Sequence, residues 1–181
     1  MLPKGNFATL ANGFQFHYHD GGQGDAVLFL HGSGTGASGF KKFKKNIDFF
    51  QRNGFRTIVP DLPGYGFSDK PEDEIYTMSF FNNLLLELLD HLNITNCSVV
   101  GNSLGGALAM GLSLEQPKRF SKLILMAPGG LEDFNAYQEM PGIKKLLGDF
   151  LGGEMNQEKI EGLLKLFPYD PSFVTKDIIE D

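Results

Sequence analysis

Histidine is scarce in this 181-residue chain and absent beyond position 91: the four are His17, His19, His31 and His91. Cysteine occurs once, as Cys97, which excludes an internal disulfide. It heads a Val-rich segment with no cation beside it, so it is expected to be a buried apolar residue and not a reactive thiol. Cations are the minority charge, 16 Lys and Arg against 22 Asp and Glu. The resulting formal charge of −6 disfavours nucleic acid or an anionic membrane surface as a partner. No apolar run approaches the ~20 residues that span a bilayer, and the start Met1-Leu2-Pro3-Lys4-Gly5-Asn6 lacks a signal core, so no membrane association and a cytoplasmic location are expected. There is no internal repeat and no cluster of metal ligands, and no cofactor is implied.

What is present is enough apolar residue, 41%, for one sizeable core, arranged as alternating strand-like and helix-like segments. Phe7–Leu10 and Phe14–Tyr18 flank Asn12-Gly13 and predict a hairpin of two antiparallel edge strands. The continuous apolar run Ala26–Leu30 predicts a strand buried on both faces, leading into the glycine-rich loop His31-Gly32-Ser33-Gly34-Thr35-Gly36. Phe43, Ile47 and Phe50 recur at helical spacing within Phe40–Asn53, closed by Gly54. A strand over Phe55–Pro60, a turn-rich loop over Asp61–Asp69 and an amphipathic helix over Met78–Leu92 follow. Cys97–Gly101 is the next strand, Ser103–Gln116 a helix stopped by Pro117, and Lys122–Ala127 one more buried strand. Strands joined by helices of this length make a mainly parallel sheet with helices on both faces, an α/β fold. The loops after Leu30, Pro60 and Gly101 would then open at the carboxyl edge of the sheet, where such folds bind ligands. This core is assigned to residues 1–130. Residues 131–181 have no strand run; they read as short amphipathic helices carrying Ile143, Leu146, Leu147, Phe150, Leu151, Ile160, Leu163, Leu164, Leu166 and Phe167, suited to a partial helical lid over the cleft.

The chemistry concentrates in Gly101-Asn102-Ser103-Leu104-Gly105, a Gly-x-Ser-x-Gly motif between a strand and a helix. Such a turn is a nucleophile elbow: a serine in strained backbone geometry, flanked by glycines that let strand and helix approach. A serine hydroxyl needs a base at hydrogen-bond distance and donors for the developing oxyanion. The backbone N–H of Leu104 supplies one donor, and Ser33 in the His-Gly loop is the candidate for the other. His31 at a strand end reads as an anchor for its loop and not as the base, and His17, His19 and His91 read as scaffold residues. A non-catalytic ligand-binding protein on the same fold remains an alternative, because no histidine follows Ser103.

Together these motifs resemble the α/β-hydrolase superfamily, and within it the meta-cleavage product hydrolases, which split carbon–carbon bonds in ring-fission products of aromatic degradation. The narrower resemblance rests on His31–Ala37, Gly101–Gly106, Leu125–Leu131 and Phe167-Pro168-Tyr169-Asp170. It implies hydrolysis of a 2-hydroxy-6-oxo-hexa-2,4-dienoate-type substrate by water, giving 2-hydroxypenta-2,4-dienoate and a carboxylic acid. It also implies Ser103 as nucleophile, Ser33 and Leu104 as oxyanion donors, and Gly32, Gly34, Asn102 and Phe167 as substrate-binding residues. The elbow alone does not encode the leaving group, so a carboxylesterase, thioesterase or lactonase is the other enzymatic reading. Relatives of this kind are often dimers or larger, which makes a homo-oligomer an expectation by analogy.

Lys41 and Lys42 stand where many members of that family have an amide-bearing side chain, and Thr35 replaces a frequent proline. The family order is Ser, then Asp, then His, and neither of the last two is found here in its place. The chain is therefore expected to be the N-terminal portion of a longer enzyme, lacking the C-terminal strands, inactive and poorly stable alone, with its last strand at an open sheet edge.

Overall fold

Short apolar runs become strands, and 3.6-periodic runs become the helices that cover them. A computed structural model describes residues 4–34, 36–151, 156–166 and 170–176. Thr35, Phe167, Pro168 and Tyr169 lie outside the described residues, as do the side chains of Leu146, Leu147, Phe150, Leu151 and Leu163. The chain divides into two units, Met1–Leu131 and Glu132–Asp181.

In the first unit the elements are β1 (Asn6–Thr9), β2 (Gln15–Gly21), β3 (Asp25–Leu30), α1 (Gly39–Arg52), β4 (Phe55–Pro60), α2 (Met78–His91), β5 (Cys97–Asn102), α3 (Leu104–Glu115) and β6 (Phe120–Met126). The strands form one sheet in the order β1-β2-β4-β3-β5-β6. β3 pairs in parallel with β4 and β5, and β5 with β6, whereas β2 is antiparallel to both β1 and β4. The expectation of two edge strands in the hairpin is therefore corrected: only β1 is at the edge, because β2 carries a ladder on each side. The hairpin loop is set by Asn12, whose Oδ1 accepts the Phe14 N–H at 3.0 Å, and by the Gly13 N–H donating to the Leu10 carbonyl at 2.9 Å.

The continuous apolar strands serve two cores, one on each face of the sheet. Leu28, Leu30, Ile58 and Val99 point to the side covered by α2 and α3, among Leu85, Leu88, Leu89, Leu108 and Leu112. Val27, Phe29, Val59 and Val100 point to the other side, against Phe43 and Ile47 of α1. Alternate residues of β3, β4 and β5 thus face opposite cores, which is why these runs lack a polar face. The helices start where side chains satisfy their first N–H groups: Ser38 Oγ accepts from Lys41 N at 3.3 Å and Thr77 Oγ from Phe80 N at 3.1 Å. α1 is capped at its C-terminus by Asn53, followed by Gly54 at φ +81°, a left-handed closure that glycine adopts without strain.

β6 departs from the expectation of a buried strand. It pairs with β5 alone, and Leu123, Ile124 and Met126 are 41%, 48% and 43% exposed. Its apolar sequence fits a strand buried on both faces; α3 packs against it, but among the described residues no strand pairs with its outer edge.

The second unit is helical among its described residues: α4 (Phe134–Glu139), α5 (Pro141–Leu151) and α6 (Gln157–Leu164), then a single 3₁₀ turn at Pro171–Phe173. Asp133 caps α4 through the Asn135 N–H at 2.8 Å, and Asn156 caps α6 through Lys159 N at 2.9 Å. Pro141 opens α5, a position where its missing N–H costs no helical hydrogen bond. No described helix is long and apolar enough to cross a membrane.

Candidate active site

β5 delivers Ser103 to the carboxyl edge of the sheet, and α3 begins at the next residue. Ser103 has φ 53° and ψ −116°, outside the regions ordinary residues favour, as the elbow geometry requires. The strain is held by surrounding bonds: the Ser103 N–H donates to the Met126 carbonyl at 3.1 Å, and the Ser103 carbonyl accepts from Gly106 at 2.9 Å, Ala107 at 3.1 Å and Gly129 at 3.0 Å. The side chain makes no capping hydrogen bond and is partly exposed. The flanking glycines are needed for close approach, since a β-carbon on Gly101 would stand 2.3 Å from the Gly105 carbonyl oxygen and one on Gly105 would stand 2.1 Å from that of Leu30.

The loop after β3 reaches the same place. A β-carbon on Gly32 would lie 3.0 Å from Ser103 Cβ and 3.2 Å from Asn102 Oδ1, so the His-Gly loop runs directly over the serine. Ser33 and Gly34 follow on the exposed part of this loop, Gly34 with φ +132°. Leu104 is the first residue of α3, and the N–H groups of a first turn have no acceptor within the helix. Asn102 uses its Nδ2 to donate to the Met126 carbonyl at 3.0 Å, tying the elbow to the end of β6. That is the scaffold use of the amide; its Oδ1 is left on the Gly32 side.

His31 and His17 are engaged elsewhere. His31, 1% exposed, accepts the Leu62 N–H at Nε2 (2.9 Å) and donates from Nδ1 to the Gly32 carbonyl (2.7 Å), an arrangement satisfied by the neutral ring. Burial pushes its pKa below the usual histidine value, against the Gly32 carbonyl and the Asp61 charge, which pull it up. Neither ring nitrogen is left for Ser103. His17 Nδ1 is bonded to Asp61 Oδ2 at 2.8 Å with both side chains buried, and His91 is exposed at the end of α2.

Asp61, at the head of the turn-rich loop, and His17 of β2 form a buried hydrogen-bonded network. The Asp61 side chain accepts from Gly39 N at 2.8 Å, Phe67 N at 3.0 Å and His17. The signal in the sequence is an acidic residue heading a turn-rich loop, a pattern too common to single out alone. Among the described residues no group of three or more His, Cys, Asp or Glu could hold a metal ion.

Comparison with known proteins follows the same geometry. Residues 25–157 match the α/β-hydrolase fold family. The chain is 38% identical over 169 residues to the 2-hydroxy-6-oxo-6-phenylhexa-2,4-dienoate hydrolase of Burkholderia cepacia, covering 92% of this chain and 58% of that protein. It is 37% identical over 169 residues to a 2-hydroxy-6-oxononadienedioate/2-hydroxy-6-oxononatrienedioate hydrolase of Comamonas testosteroni, with the same coverage of 92% and 58%. A meta-cleavage product hydrolase from Pseudomonas fluorescens IP01, solved as a serine-to-alanine mutant complexed with acetates, superposes with a TM-score of 0.83 at 31% identity. That superposition covers 97% of this chain and 61% of the solved one. The chain thus spans less than two thirds of the length of these relatives. With the family match extending from β3 into α6 and the elbow in place between β5 and α3, the chain belongs to the α/β-hydrolase family.

Proposed function

We propose that Ser103 is the nucleophile of a hydrolase that cleaves a carbon–carbon bond in 2-hydroxy-6-oxo-hexa-2,4-dienoate-type ring-fission products. The single observation that carries this is Ser103 at φ 53° on the β5–α3 elbow, partly exposed, with Gly32 against its β-carbon. The names of the relatives at 37–38% identity supply the substrate class.

In the proposed reaction the dienol is first ketonised, and Ser103 Oγ then attacks the C6 carbonyl. The tetrahedral oxyanion is held by the Leu104 N–H, next to the nucleophile in the chain, and by Ser33, which follows Gly32 on the loop over Ser103. The C5–C6 bond breaks with its electron pair passing to C5, a carbanion that the 2-keto acid delocalises and a proton quenches. Water then hydrolyses the acyl-serine, releasing the carboxylic acid and freeing the serine. Gly32 and Gly34 leave room for the substrate along the loop, and Asn102 Oδ1 faces the same space; Phe167, the other substrate-binding candidate, lies outside the described residues. A small dienoate and water are the partners, and the cytoplasm is the proposed location.

The base is proposed to come from residues other than these 181, because both nitrogens of His31 are bonded and His17 is committed to Asp61. The 181-residue chain alone is then inactive. Loss of dienoate absorbance and fluorophosphonate labelling of Ser103 test the reading together. Both should be absent for the isolated chain, present when the chain is continued by its own following reading frame, and abolished by Ser103→Ala. Turnover of ~1 s⁻¹ by the isolated chain would refute the external base, and turnover surviving Ser103→Ala would refute the nucleophile.

A further inference from the structure

We infer that Asp61 and His31 act together as positioning residues that clamp both ends of the Ser33 loop and thereby fix it over Ser103; the inference rests on the role proposed for that serine. The loop departs at His31, just after β3, and ends at Gly39, the first residue of α1. At the departing end, His31 Nε2 accepts the Leu62 N–H at 2.9 Å. At the returning end, Asp61 Oδ1 accepts the Gly39 N–H at 2.8 Å. Both ends of the loop are therefore bonded to two consecutive residues just beyond β4.

Asp61 is itself immobilised. Its Oδ2 accepts from His17 Nδ1 at 2.8 Å and from Phe67 N at 3.0 Å, its carbonyl accepts from Ser68 Oγ at 2.6 Å, and Ser68 Oγ accepts the His17 N–H at 2.9 Å. Three N–H donors converge on the Asp61 carboxylate, which needs acceptor oxygens at both positions; an amide there would turn one N–H toward another. Between its ends the described residues include the backbone hydrogen bond of Ala37 N to the Gly34 carbonyl at 3.2 Å and the His31 Nδ1 bond to the Gly32 carbonyl at 2.7 Å, and the clamped ends hold the loop at both exits. A donor aimed at a developing oxyanion is effective only if it does not reorganise, and this clamp removes that freedom.

Native-state hydrogen exchange on the 181-residue chain tests the clamp. In the unaltered chain the Gly39, Leu62 and Phe67 amides should open as one unit with a common denaturant dependence. His31→Ala and Asp61→Asn should raise exchange at Ala37, Gly39 and Leu62 by about tenfold or more beyond any change at Leu85 and Leu88 of α2. His31→Gln, which keeps an acceptor for the Leu62 N–H, should restore protection. A uniform rise across loop and helix, an unchanged loop, or no rescue by glutamine would overturn the proposal. If Asp61→Asn does not fold, independent opening of Gly39 and Leu62 in the unaltered chain overturns it equally. Ser103→Ala should leave all these rates unchanged, so a failure of the serine chemistry is distinguishable from a failure of the clamp.

Discussion

Gly32 and Ser103 are packed so closely that a β-carbon on the glycine would stand 3.0 Å from Ser103 Cβ and 3.2 Å from Asn102 Oδ1. Neither neighbour is the end of a long flexible side chain, so the added methyl must displace the loop or the elbow by a few tenths of an ångström. Under the proposed function, Gly32→Ala in the chain continued by its following reading frame should therefore lower dienoate turnover by roughly 10- to 100-fold, since small misplacements of reacting groups cost about that much. Thermal unfolding should change little, which separates crowding at the site from loss of the fold.

Gly101→Ala has the opposite signature. Its β-carbon would meet the Gly105 carbonyl oxygen at 2.3 Å and the Gly105 carbonyl carbon at 2.6 Å, both backbone atoms at the strand–helix crossing. Overpacking of this kind costs ~1–3 kcal/mol or more. Urea denaturation should show a lower midpoint for this variant whether or not any activity is measured.

Two buried groups limit stability at the extremes of pH. Burial pushes the Cys97 thiol up to about 11, so the folded chain holds this proton more tightly than the unfolded chain does. The associated stability is complete below the unfolded pKa of about 9 and is lost as pH rises through about 11, on the order of 2–3 kcal/mol. Cys97→Ala should flatten the alkaline limb of stability against pH, and iodoacetamide at pH 8 should modify Cys97 only in denaturant. His31 works at the other end: its pKa is lowered by burial, so the folded chain resists protonation and stability falls as pH drops below the ordinary histidine range. His31→Gln should weaken that acid dependence.

The open side of β6 predicts self-association. Leu123, Ile124 and Met126 are all more than a third exposed on a strand with a ladder on one side only, the condition that favours edge-to-edge pairing. Light scattering of the 181-residue chain should rise with concentration, and Ile124→Lys should suppress the rise. A chain that stays monomeric at high concentration without that substitution would contradict the prediction.

Much of this was legible in the sequence because its causes are local. Short apolar runs marked β3 and β4, and period-3.6 apolar patterns α1 and α2, to within a residue or so, since the pattern and the buried face are one physical fact. Gly101, Ser103 and Gly105 announced the elbow because few other residue sets tolerate that turn, and the observed φ of 53° follows from it. Tertiary structure alone decided the rest. Pairing order placed β2 inside the sheet and β6 at its edge among the described residues, because the same apolar run is compatible with either position until its neighbours are known. Long-range contact likewise joined His17 to Asp61 across 44 residues and occupied both nitrogens of His31. Hydrogen-bond partners so far apart in the chain have no periodicity to betray them, and only folding brings them within reach.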